Sequence, residues 1–163
     1  MKIIIKKERL LYDISNLAYV VTDAADPEHK LHIVADICME GNIDRVARLL
    51  GLAHARLNQA LRKILILPKL TRIADISAET HDYVFRLAKD SCGRNILSDS
   101  AVILLKETIH EYFVCFVLAD WLGFILPVQA TVWRQKAEKL MEAIGRFPEL
   151  SSLSILRRHI PPL

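Results

Sequence analysis

Cysteine is scarce in this chain, and its placement excludes two chemistries at once. Cys38, Cys92 and Cys115 are odd in number, far apart and without any C-x-x-C spacing. Neither a disulfide framework nor a thiolate zinc site is indicated. Glycine is sparse too, with 5 residues in 163, and none builds the glycine-rich loop that cradles phosphate in nucleotide-binding proteins. Ser91, Cys92 and Gly93 lack the G-x-S-x-G setting of a nucleophile elbow, and no histidine or aspartate is spaced as a triad partner. The pair His110-Glu111 lacks the second histidine of a zincin, since that position is Val114. No catalytic residue, cofactor or metal is expected from this pattern, and the chain reads as non-enzymatic.

Long uninterrupted apolar runs are also missing. A bilayer span needs about 20 consecutive apolar residues. The richest stretch, 100–126, reads SAVILLKETIHEYFVCFVLADWLGFIL and is interrupted by Lys106, Glu107, His110, Glu111 and Asp120. At the amino end MKIIIKK opens basic but holds only three consecutive isoleucines, too short for the apolar region of a secretion signal. The expected location is the cytoplasm, with no membrane partner.

What the chain does have is aliphatic residues. A hydrophobic content of 52% lies at the upper edge for a soluble globular protein, so some apolar surface is expected to face a partner rather than a core. Between Tyr112 and Ala119 no strongly polar side chain intervenes, the pattern of a helix covered nearly all round. The predicted fold is mainly α: a single helical domain over 1–163, about six helices packed around a long buried central helix at 100–126. A short β-hairpin near 72–89, an amino-terminal arm at 1–7 and a carboxy-terminal docking tail at 147–163 complete it.

In chain order, Met1, Ile3 and Ile5 fall on one side of the arm, which reads as a short strand or an extended segment. From Glu8 the stripe Leu10, Leu11, Ile14, Leu17, Ala18 and Val21 predicts a helix, ended by 23–27. Pro27 suits the first turn of a second helix that Gly41 stops. Two short helices, 42–50 and 53–65, are expected to meet across a turn at Gly51 and Leu52. Tyr83, Phe85 and Leu87 alternate with Val84, Arg86 and Ala88 as in a strand. Ser98 and Asp99 are N-cap candidates for the central helix. After Pro127 a last long helix is predicted to about Arg146, the antiparallel partner of the central one, with Trp121 and Trp133 in the core between them. Leu150, Leu153, Ile155 and Leu156 make the tail too apolar to hang free.

Charge is small in total, +3, but unevenly placed: residues 42–72 carry seven Lys or Arg against one acid. Glu28, His32, Asp36 and Glu40 recur at steps of four with His29 close by, a spacing compatible with a metal. An exposed carboxylate-rich face is the commoner meaning of such a pattern, and no metal is assigned.

Two resemblances add to this. The string GNIDRVARLLGLAHARLNQALRKI, 41–64, resembles the helix-turn-helix of the Fis family and of the carboxy-terminal domains of bacterial enhancer-binding regulators. Gly41, Asn42, Arg45, Ala47, Leu49, Leu50, Gly51, Leu52, Leu57 and Leu61 match that pattern. The resemblance implies double-stranded DNA as partner, with Arg56, Asn58, Gln59, Arg62 and Lys63 on the reading face. The broader likeness is in the order of ERLLYDISNLAYV, EGNIDRVARLLGLAHA, IHEYFVCFVLADWLG and VWRQKAEKLMEAI, which is similar to small helical virion proteins of Bacteroidetes-type prophages, of the head-tail adaptor or connector class. It implies a structural protein working through self-association or packing against other virion proteins, inside the host cell and then in a virion. The residues expected at such interfaces are Ile3, Ile5, Leu153, Ile155 and Leu156.

Overall fold

The computed structural model describes residues 1–25, 36–37, 40–66, 82–89 and 93–158, with side chains of 40 and 149–158 outside the description. In order these form strand β1 (Lys2–Ile5), helix α1 (Lys7–Ala25), helix α2 (Glu40–Ala60), strand β2 (Tyr83–Arg86), helix α3 (Asp99–Trp121) and helix α4 (Pro127–Arg158). The protein is mainly helical, with four helices among the described residues. The segment expected to form a helix after Pro27, with Glu28, His29 and His32, lies outside them, as do Cys38 and Cys92. Among the described residues no helix is long and apolar enough to cross a membrane.

α3 is the predicted central helix, and its burial follows from its sequence. Ser98 caps it, its hydroxyl accepting the Ala101 N–H at 3.3 Å, and Asp99 sits in the first turn where the helix dipole favours an acid. Leu105, Ile109, Tyr112, Phe113, Val114, Cys115, Val117, Leu118 and Trp121 are all buried. One neighbour cannot cover so wide a surface. α4 folds back along α3 through the turn 122–126, α1 and α2 flank it, and the sheet lies over Phe113, whose ring meets Tyr83 at 4.9 Å. Burial raises the Tyr83 hydroxyl pKa to about 12. α1 contributes Leu10, Ile14, Ala18 and Thr22, and the buried Thr22 hydroxyl donates back to the Ala18 carbonyl at 2.9 Å, so it leaves no unpaired donor.

The amino-terminal segment is neither a free arm nor half of a local hairpin. β1 pairs antiparallel with β2, Lys2 opposite Arg86, Ile3 opposite Phe85, Ile4 opposite Val84 and Ile5 opposite Tyr83. On the other side of β2, the Ile66 N–H reaches the Arg86 carbonyl at 2.7 Å and the Ala88 N–H reaches the Ile64 carbonyl at 2.8 Å. Strand alternation at 83–87 is as expected, but the partners are 1–5 and 64–66. Residues 67–81, which include the first limb of the expected 72–89 hairpin, lie outside the description. Ile3 and Ile5, expected at an interface between proteins, are instead 1% exposed beside Phe85. The period of two that puts them on one side of the strand turns that side inward.

Two further expectations change. The helices at 42–50 and 53–65 are one helix, α2, running unbroken through Gly51 to Ala60, and Gly41 lies in its first turn rather than ending a helix before it. The reason is the stripe Val46, Leu50, Ala53, Leu57, buried throughout and in step across Gly51. A mid-helix glycine costs roughly 1 kcal/mol against alanine, far less than that stripe contributes by burial at about 1.5–3 kcal/mol per large aliphatic side chain. Likewise α4 does not stop near Arg146. It continues to Arg158 with Pro148 inside it, losing one rung of the ladder, the bond to the Ile144 carbonyl. The tail at 147–158 is therefore helical, and Leu153, Ile155 and Leu156 lie on its last turns.

A methyl group at Gly51 would meet nothing within 4 Å. Gly51→Ala should therefore stabilise the protein by about 0.5–1 kcal/mol in chemical denaturation, whereas a glycine needed for a turn would make the same change destabilising. Phe113→Ala, in the fully buried centre, should cost about 3–5 kcal/mol.

Candidate interaction groove

α2 rests on α3 through Val46, Leu50, Ala53 and Leu57, and α4 rests on it through Ala130, Ala137 and Ile144. Between the two the surface of α3 is left partly open, giving a groove of about 890 Å³. Its floor is Tyr112, Phe116 and Ala119. One wall is Leu49, Leu52, Arg56, Gln59 and Ala60 of α2; the other is Arg134, Ala137, Glu138, Met141 and Glu142 of α4. The lining is apolar below and mixed in charge along the rim.

The rim is held by paired and stacked cations. The Arg56 guanidinium lies 5.0 Å from the centre of the Phe116 ring, beside Tyr112. Burial raises the Tyr112 hydroxyl pKa, and the Arg56 guanidinium offsets part of the rise. At the Asp120 end, Arg45 donates to the Asp120 carboxylate at 2.8 Å while its guanidinium sits 5.1 Å from the Trp121 ring and 5.4 Å from the Phe124 ring. Arg146 is paired with Glu142 in the next turn. Arg45 and Arg56 are each stacked or paired in a way that holds the guanidinium in one place.

Beside α4, Lys136 pairs with Glu111, which raises the lysine pKa, and its ammonium lies 5.4 Å from the half-buried Trp133 ring. Cys115, buried behind this pair, has its thiol pushed up to about 12, chiefly by burial, so at neutral pH it is a small apolar side chain and not a nucleophile.

The residues expected to read DNA are not brought to one face. Arg56 and Gln59 point toward α4 and line the groove. Asn58 sits on the opposite flank of α2, its amide 3.2 Å from His54 Nε2, and His54 itself packs at 5.1 Å from each of the Tyr83 and Phe85 rings. Arg62 and Lys63 are exposed in the turn after the helix. With no turn at Gly51 and Leu52, α2 lacks the bend that sets a recognition helix across its neighbour.

Sequence reasoning missed the groove. The nearest signal was the half-apolar composition of its walls, Leu49 and Leu52 on α2 and Met141 on α4, which reads equally well as core. Comparison with protein families, with curated proteins and with solved structures finds no match to this chain.

His54 supplies a pH test of this packing. Burial lowers its pKa below the ordinary 6.5, so the folded protein refuses a proton that the unfolded chain accepts. Its contribution is present above pH 6.5 and is lost as pH falls from there toward the lower folded value. Denaturation midpoints measured between pH 7.5 and 5 should fall less steeply in His54→Phe than in the parent.

Proposed function

We propose that this chain is a non-enzymatic assembly protein, of the prophage-derived head-tail adaptor or connector type, that works by packing against a second copy of itself through the groove between α2 and α4. The observation that carries this reading is the groove itself: an apolar trough over α3, flanked by two helices, where a bundle would otherwise place another helix. Its rim carries both signs, Arg56 and Arg134 against Glu138 and Glu142, which suits the mixed outer face of a copy of α2 or α4. Apolar side chains left in solvent support the same reading. Phe124 is 85% exposed and Val128 77%, and Ile103, Leu104 and Val132 are also exposed, more than scattered surface residues ordinarily require.

Sedimentation of the protein over a concentration series tests this. The parent chain should self-associate, and the double variant Leu52→Glu, Met141→Glu should be monomeric with an unchanged helical spectrum. A parent that stays monomeric at tens of micromolar overturns the self-packing reading. Duplex DNA binding that weakens steeply with salt and is lost in Arg62→Glu, Lys63→Glu would put the basic segment in its place.

A further inference from the structure

The outer edge of β1 is an open backbone template. On β2, the Arg86 carbonyl and the Ala88 N–H bond to Ile66 and Ile64, whereas the Leu87 N–H bonds to the Met1 carbonyl at 3.0 Å. Even-numbered residues of β2 therefore face 64–66 and odd-numbered ones face β1. By the same alternation Ile3 and Ile5 spend their N–H and C=O groups on Phe85 and Tyr83, while those of Lys2 and Ile4 point away from the sheet. Among the described residues neither Lys2 nor Ile4 has a backbone partner on that side. Beside the edge lies a shallow hollow of about 40 Å³, bounded by Ile4 and Ile5 of the strand, by Lys6 and Arg9, and by Lys106, Glu107 and His110 of α3.

The outer face of the sheet says what would complement it. Lys2 and Arg86 stand directly opposite each other, both exposed, and among the described residues no carboxylate is bonded to either. Like charges in directly opposite positions are destabilising, and the pair is of the non-hydrogen-bonded kind, in which side chains are closest. Next along the same face is the pair Ile4 and Val84, 42% and 41% exposed. Beyond it Lys6 is already bridged to Asp82 at 2.8 Å.

We infer that the β1 edge accepts an added strand from an acidic partner polypeptide. The strand carries an apolar residue opposite Ile4 and a carboxylate two residues away opposite Lys2. Its main chain would bond to the Lys2 and Ile4 amide and carbonyl groups, its apolar side chain would extend the Ile4–Val84 pair, and its carboxylate would neutralise the Lys2–Arg86 repulsion. A second copy is the poorer occupant: pairing two β1 strands about Ile4 sets Lys2 opposite Lys6 of the other. The edge shares no residue with the α2–α4 groove, so this inference stands or falls apart from the proposed function.

The probe is the peptide acetyl-Thr-Glu-Thr-Val-Thr-Glu-Thr-amide, with its glutamates replaced by lysines as control. Binding to the full chain is read by amide hydrogen exchange and by titration. The glutamate peptide should slow exchange at Ile4 while leaving Ile3 and Ile5, already bonded to β2, unchanged. Ile4→Pro removes one outward N–H and no bond of the existing sheet, and should weaken binding roughly fivefold or more. Lys2→Glu, at an exposed position, should weaken the glutamate peptide and favour the lysine peptide. Absence of binding, binding indifferent to both variants, or Ile4 protection that rises with protein concentration without peptide would each overturn the proposal, the last by showing a second copy on the edge.

Discussion

The structure depends on covering α3. A helix with apolar residues on nearly every side is soluble only inside a shell, and each other element can be read as part of that shell. α4 lies along it by way of a short turn, α1 and α2 lean on its flanks, and the sheet sits over Phe113. The small residues Ala130 and Ala137 on α4 and Ala53 on α2 are buried at these contacts, which lets backbones approach closely. The groove is where the shell is incomplete, between the two helices that lie nearest to closing it.

How much of this was legible depended on the range of the interaction. The central helix and its Ser98 cap are written in residues adjacent in sequence and appear as read, except that the helix ends at Trp121 and the stretch to Leu126 forms the turn into α4. The continuity of α2 was legible in principle: Val46, Leu50, Ala53 and Leu57 keep step across Gly51. A glycine in a familiar-looking string outweighed that stripe, although its intrinsic cost is the smaller effect. The run of α4 past Pro148 was hidden for the same reason, since proline is a strong local signal against a helix that tertiary packing of Ile144 and Phe147 overrides. The pairing of β1 with β2 was not legible, because alternation shows that a strand exists and not which strand it meets. The groove, which arises from the relative placement of three helices, leaves no periodicity of its own.

Several cations among the described residues are committed to local partners. Arg45 is held by Asp120 and two rings, Arg56 by the Phe116 ring, Lys136 by Glu111. A count of positive charge along 42–72 therefore overstates what is offered to an anion. Lys2 and Arg86 are the contrast, remote in sequence and modest in number, yet facing one another without a counter-charge.

The sheet also sets an order of events in synthesis. Ile3 meets Phe85 only after roughly eighty more residues have been made, an interval on the order of ten seconds at typical elongation rates. Throughout it, three isoleucines of high β-propensity are without their native cover, the kind of segment that seeds aggregation. Lys2 on one side and Lys6 and Lys7 on the other flank them as gatekeepers. Lys2, which leaves the finished edge positively charged, thus also helps protect the nascent chain before it has a sheet to join.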